Sequence, residues 1–179
     1  MEKPDNLVVV AETRWLDRDE QRIWRTFMVA TSLLFEQFDR DLQRGAAIPT
    51  THYEVLVRLS EAAERRLRMS DLADQCQSSR SRLSHTITRL EEAGWVKREM
   101  CPSDRRGAFA VLTDEGFSAL EAAAPVHVES VRTHLFDQLD RGQLDELREI
   151  GGRVLAHLIS INAAPLDMLG ELGPKWRTD

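Results

Sequence analysis

The stretch from Ser70 to Gly116 constrains this chain more than any other: SDLADQCQSSRSRLSHTITRLEEAGWVKREMCPSDRRGAFAVLTDEG. Ser70 is placed to cap a short helix carrying Leu72, Ala73 and Cys76, with Asp71 favourable beside the helix N-terminus. Gln77, Ser78 and Ser79 form a polar turn. The next helix puts Leu83, Ile87 and Leu90 on one face and closes at Gly94, a residue type suited to the left-handed position after a helix. Beyond it WVKREM and GAFAVL have strand character and flank the turn CPSDRR. The predicted order is short helix, tight turn, basic helix, strand, basic turn, strand.

Long helices are expected on both sides. One starts near Asp17, where Asp17-x-x-Glu20 has capping-box spacing. Its apolar stripe of Ile23, Phe27, Ala30, Leu34 and Phe38 runs to about Leu42, and Gly45 is read as its stop. Ile48-Pro49-Thr50 is a turn, and Thr51-x-x-Glu54 reads as a capping box opening a helix through Leu59. Thr113 starts a further helix with Asp114 and Glu115 in its first turn. Its stripe of Phe117, Leu120, Ala124, Val128, Val131 and Leu135 reaches Leu139, with Pro125 as a kink. Asp140-x-x-Gln143 caps a last helix bearing Leu144, Leu147, Ile150, Val154 and Leu158. A reading core of about 60 residues is too small to cover such stripes on both sides, so a two-fold dimer with interdigitating terminal helices is the economical arrangement, with a monomeric helical bundle as the alternative.

The fold class expected is mainly α with a small β-wing: a winged helix-turn-helix flanked by N- and C-terminal dimerisation helices. Residues 1–16 form a lead and 17–179 a single domain. Within it, 17–47 and 113–161 are dimerisation helices, 48–112 the winged helix-turn-helix and 162–179 a loose tail.

The net charge of −6 is unevenly spread. Residues 1–57 carry −3 and 109–179 carry −6, whereas 58–108 carry +3. A basic block between acidic flanks marks a localised surface for a polyanion. The composition, 42% hydrophobic and 30% charged, is that of a globular protein rather than a disordered one. No apolar run approaches the ~18–20 residues of a membrane span, and the N-terminus lacks a secretory cleavage pattern. Cys76 and Cys101 match no metal spacing and read as reduced thiols in a cytoplasmic protein.

With Leu83, Ile87 and Leu90 buried, a rotation of ~100° per residue places Ser78, Ser81, Arg82, His85, Thr88 and Arg89 on the opposite face. Arginine can bond guanine O6 and N7, serine and threonine reach base edges or phosphates, and histidine can do either. Ser79 to Arg82 lie at the end that would sit deepest in a major groove, with Arg80 turned toward phosphate. The candidate DNA-contacting set is Ser78, Ser79, Arg80, Ser81, Arg82, His85, Thr86 and Arg89, joined by Arg105 and Arg106 at the hairpin tip. The plainer alternative is that Arg82 and Arg89 only solvate an exposed helix, paired with Glu92 or similar acids. Asp104 is read as a brace for an arginine rather than a DNA contact.

Residues 17–158 resemble the MarR (multiple antibiotic resistance regulator) family of bacterial transcription factors. The resemblance is carried by Leu72-Ala73, by Ser81-Arg82-Leu83-Ser84 and by Arg89-Leu90-Glu91-Glu92-Ala93-Gly94-Trp95-Val96. Most specific are the wing Asp104-Arg105-Arg106 and Leu112-Thr113-Asp114-Glu115-Gly116 beyond it. The lead Met1 to Leu16 and the tail after Ile161 depart from the simplest members. The resemblance implies a homodimer on a palindromic DNA operator, usually a repressor, often released by a small phenolic or anionic ligand. It makes Arg105 the wing-tip minor-groove residue, with Asp104 and Arg106 stabilising the wing.

Effectors in such proteins sit between the dimerisation helices and the reading lobe. The candidates here are Trp24, Arg25 and Met28, with His52, Tyr53 and Leu56; an aromatic wall with Arg and His suits an aromatic carboxylate or a phenol. The same residues also fit a dimer core and an edge tyrosine. Two alternatives to a ligand-released repressor are a thiol-based redox regulator, with Cys101 activated by Lys97, Arg98 and Arg105, and a winged-helix protein-interaction module without DNA binding. An enzyme is disfavoured, because no phosphate loop, His-x-x-x-His pair or nucleophile elbow occurs. His127, His134 and His157 could meet in space at a metal, but surface histidines are the plainer reading. No cofactor or metal is expected, and no membrane partner.

Overall fold

The computed structural model describes residues 13–101 and 104–162, and of residues 104–106 and 162 the backbone alone. Most of the predicted lead, nearly all of the predicted tail, and Pro102 and Ser103 of the turn lie outside the described residues. Among the described residues six α-helices and three strands follow in the order α1 (Arg18–Ala46), α2 (Thr50–Glu61), β1 (Arg66–Arg68), α3 (Met69–Gln75), α4 (Arg80–Glu92), β2 (Val96–Cys101), β3 (Asp104–Leu112), α5 (Asp114–His134) and α6 (Arg141–Asn162). The chain divides between Phe35 and Glu36 into two units.

In the first unit the capping box at the start of α1 closes as expected. Asp17 Oδ1 accepts from the backbone N–H groups of Asp19 and Glu20, both at 2.8 Å, and Glu20 Oε2 accepts from Asp17 N–H at 2.9 Å. Along this part of α1 the large apolar side chains Ile23, Trp24, Phe27, Met28, Val29 and Leu33 are all exposed.

In the second unit the core joins the end of α1 to all of α2 to α5. Leu42, Leu56, Leu59, Leu72, Leu83, Ile87, Leu90 and Leu120 are buried to 1% exposure or less, with Val96, Ala110 and Leu112 closing it from the sheet. Each such side chain contributes ~1.5–3 kcal/mol by leaving water. The triplet of Leu83, Ile87 and Leu90 fixes which face of α4 turns outward. On α6, by contrast, Leu147, Ile150, Val154, Leu158 and Ile161 remain 41–61% exposed.

The sheet has three antiparallel strands in the order β1-β3-β2, where the sequence showed two. β1 is only Arg66-Leu67-Arg68, paired with Val111, Ala110 and Phe109. Three residues rich in arginine carry too little alternation to announce a strand; the β3 edge supplies the hydrogen bonds that hold it. The wing is also tighter than expected, because Cys101 belongs to β2 and pairs with Asp104, placing Asp104, Arg105 and Arg106 at the start of β3.

Several predicted boundaries are corrected. Gly45 does not stop α1, which runs on to Ala46 and ends where Ala47 turns to φ 55°. A Cβ at Gly45 would lie 2.7 Å from Val126 Cγ1, so this glycine serves a close approach of α1 to α5. The Thr51-x-x-Glu54 box does not form: α2 begins at Thr50 behind Pro49, and the Thr50 N–H is taken by the Asp39 carboxylate of α1 at 2.8 Å. Ser70 does not cap α3, which starts one residue earlier; its hydroxyl bonds Asp71 instead. The stripe after Thr113 does not stay helical to Leu139, since α5 ends at His134 and a 3₁₀ turn covers Phe136–Gln138. Pro125 sits inside α5 without ending it. The Asp140–Gln143 box of α6 closes in both directions at 2.9 Å.

Candidate nucleic-acid interface

α3 and α4 are joined by four residues, 76–79, in which Gln77 takes φ 47° and Ser78 N–H returns to Ala73 O at 2.9 Å. Ser79 caps α4 by accepting from Arg82 N–H at 3.2 Å. At the other end Gly94, at φ 76°, lets Trp95 N–H reach Leu90 O at 2.9 Å. α4 is thus defined at both termini by its own residues.

The outward face of α4 carries most of the predicted set. Ser79, Arg80, Ser81, Arg82 and His85 are exposed, as are Thr88 and Arg89, whereas Ser78 and Thr86 are half-buried. Thr86 Oγ1 donates to Arg82 O at 3.2 Å and Thr88 Oγ1 to Ser84 O at 3.0 Å, so both hydroxyls are turned onto the helix backbone. Arg89 pairs with Glu92 at 2.8 Å, the solvated pairing that the plainer reading of this helix had allowed. Exposed pairs of this kind are worth little, and a phosphate can displace the carboxylate at small cost. The side chains of Asp104, Arg105 and Arg106 lie outside the described residues, so their predicted roles rest on the sequence.

Sequence reasoning missed the residue that joins the hairpin to this helix. Arg98 of β2 donates through Nη2 to Ser84 O at 2.9 Å and to Thr88 Oγ1 at 3.2 Å, and Nη1 pairs with Glu91 Oε2. The Arg98 backbone N–H also donates to Glu91 Oε1 at 2.9 Å. The signal available was strand parity: Arg98 stands two residues from the buried Val96 and so shares the side of β2 that faces inward.

The predicted effector residues divide between the two units. Arg25 is exposed, as are Trp24 and Met28, on the first part of α1. His52 is half-buried, and burial, followed by the charge of Arg89, holds its pKa below the usual histidine value. Tyr53 is buried with its ring 4.8 Å from that of His127, and burial, then Glu61, pushes its pKa up to about 12. Leu56 is fully enclosed in the core. A cleft of about 460 Å³ lies elsewhere, between Asp41 on α1 and Val126, Glu129, Ser130, Thr133 and His134 on α5.

That cleft contains an aspartate, a serine and a histidine, but not in a catalytic order. Ser130 Oγ donates to Asp41 Oδ2 at 2.7 Å, and His134 Nε2 meets the same oxygen at 3.1 Å. The serine is therefore bound to the acid rather than to the imidazole, and no base is set to activate it. His127 packs on Tyr53 and Phe38 instead of joining His134. Among the described residues no three His, Cys, Asp or Glu side chains are arranged to hold a metal, and no helix is long and apolar enough to cross a membrane. Cys101 is buried and accepts from Arg68 Nη2 at 3.4 Å.

A helix-turn-helix whose second helix is buttressed by an antiparallel hairpin defines a winged-helix protein. The MarR family profile matches residues 48–107. Sco3205 of Streptomyces coelicolor, a MarR family transcriptional regulator solved in complex with DNA, is 46% identical over 93% of this chain and 99% of that one, with a TM-score of 0.78. AbsC, a MarR family transcriptional regulator from the same organism, is 47% identical over 83% of this chain and 99% of its own, with a TM-score of 0.75. The regulator PecS of Dickeya dadantii is 33% identical over 91 residues, which span 51% of this chain and about half of PecS, 54%. The chain belongs to the MarR family of transcriptional regulators.

Proposed function

We propose that this chain binds duplex DNA as a homodimer, represses from a palindromic operator, and is released by a small aromatic or anionic ligand. The observation that carries the DNA reading is the outward face of α4: Ser81, Arg82, His85 and Arg89 stand exposed while Leu83, Ile87 and Leu90 anchor the helix from behind. A DNA complex of the 46%-identical Sco3205 supports the same reading. In this proposal Ser79 to Arg82 enter the major groove, Arg89 exchanges Glu92 for phosphate, Arg105 reaches the minor groove, and Asp104 and Arg106 hold the wing.

The dimer is supported by apolar side chains left uncovered on α1 and α6, which a second copy would bury. The ligand part rests on the resemblance and on Trp24, Arg25, Met28 and His52, the members of the predicted set that are not buried.

Selection of bound duplexes from random DNA tests the proposal. Half-sites with centres ~10 bp apart, related by a two-fold axis, are expected. Arg105→Ala is expected to cost ~1–3 kcal/mol and to reduce the salt slope by roughly one. An absence of salt-dependent duplex binding would make the chain a protein-interaction module. For the ligand, salicylate-like compounds should raise the melting temperature and weaken operator binding, and a panel of aromatics without effect removes that part.

A further inference from the structure

Arg98 is placed to do something that neither a DNA contact nor a core residue does. Its three partners on α4, Ser84, Thr88 and Glu91, recur at intervals of four and three residues and so form one ridge along the helix. A single guanidinium on β2 spans that ridge, bonding a backbone carbonyl, a hydroxyl and a carboxylate, while the backbone N–H of Arg98 itself donates to the second carboxylate oxygen. The side chains of Arg98 and Glu91 are 32% and 29% exposed, so the pair is partly shielded from solvent. The exposed residues His85 and Arg89 lie on the adjacent ridge of the same helix.

We propose that Arg98 is a positioning residue for DNA reading: with Glu91 it locks α4 against the β2–β3 hairpin, so that helix and wing meet the duplex at a fixed angle. The inference rests on the DNA-binding reading above. Its consequence is specific to discrimination. The charge of Arg98 is matched by Glu91 and its donors point inward, so it adds little attraction to phosphate. Base readout needs several side chains in register at once, and it fails when the helix can rock against the wing. Lysine cannot replace it, because a point charge with no planar fork cannot hold three partners in that spread.

The test compares wild type with Arg98→Lys, Arg98→Ala and Glu91→Gln on a duplex selected from random DNA and on an unrelated duplex, each across a salt series. Thermal melts establish that the variants fold, and Arg98→Lys and Glu91→Gln carry the test if Arg98→Ala does not. All three are expected to lose about tenfold in the ratio of selected to unrelated affinity, with the salt slope unchanged. Glu91→Gln is the sharpest arm, because removing a negative charge beside DNA would by electrostatics alone tighten binding to both duplexes. Tighter binding to both overturns the proposal. So does an equal loss on both duplexes in Arg98→Ala with the slope reduced by about one, the behaviour of a phosphate contact. If wild type binds and all variants discriminate normally, only the role of Arg98 falls. If wild type binds neither duplex, the DNA reading itself falls and takes this role with it.

Discussion

Gly116 lies against the carbonyl oxygen of Trp95, so close that a Cβ on Gly116 would run into that backbone atom. The approach is held from both sides: Thr113 N–H donates to Trp95 O at 3.0 Å, and Thr113 Oγ1 donates to Gly94 O at 2.8 Å while accepting from Gly116 N–H at 3.0 Å. The cap of α5 is therefore also the joint between α5 and the end of α4. Because the obstacle is backbone, it cannot swing away. Gly116→Ala is expected to destabilise the protein by ~1–3 kcal/mol, read as a lower melting temperature or denaturant midpoint. An unchanged midpoint would mean the joint is not rigid.

Gly94 offers the opposite case. It has open space around its missing Cβ but sits at φ 76°, so alanine there meets left-handed strain and no clash. A loss of ~1 kcal/mol is expected for Gly94→Ala, smaller than for Gly116→Ala. The order of the two midpoints checks the assignment; a larger loss at Gly94 would contradict it.

The two glycines also show what the sequence made legible. Gly94 was readable as a helix terminator, because its role depends only on its own backbone and the preceding periodicity. The caps at Asp17, Thr113 and Asp140 were readable for the same reason. Gly45 was misread as a terminator, since its role is set by Val126, some 80 residues away in the chain. The start of α2 escaped likewise, because its free N–H is satisfied by Asp39 across a turn and not by Thr51. At the candidate site, local periodicity gave the outward face of α4. It did not give Arg98, whose partners are 7 to 14 residues away on another element. β1 was invisible because its three residues become a strand only against β3.

The redox alternative rests on Cys101, which is buried, and otherwise on Cys76, the less buried of the two thiols. Burial, then the charge of Glu54, pushes the Cys76 thiol up to about 12, so almost no thiolate exists there at neutral pH. The thiolate is the reactive form. Cys76 in the folded protein is expected to resist iodoacetamide, and peroxide should leave operator affinity unchanged. Mass spectrometry after brief labelling decides it: rapid modification of Cys76 without unfolding would restore the redox reading.

The exposed stripe of α6 should report on assembly. Ile150 and Val154 are 61% and 55% exposed, spaced four apart on one side of the helix. Placing a charge there leaves the core of the reading lobe untouched but puts an unpaired ion into any interface that forms on the stripe. Ile150→Glu is expected to shift the protein from dimer to monomer in sedimentation and to weaken operator binding, with little change in secondary structure. A dimer that persists in that variant would place the interface elsewhere.

His127 gives the fold a defined response to acid. Burial against Tyr53 and Phe38 holds its pKa below the ordinary histidine value, and burial acts on His52 with the same sign. The unfolded chain therefore binds more protons in the window between the ordinary value of about 6.5 and the lower folded value. Stability rises with pH across that window, and is lost as pH falls from about 6.5 toward the folded pKa. The melting temperature should drop between about pH 7.5 and pH 5.5, and the drop should be smaller in His127→Gln. The comparison uses each variant's own pH dependence, so a general loss of packing in the glutamine variant does not enter. If His127→Gln keeps the full wild-type drop, the imidazole is not the group that titrates.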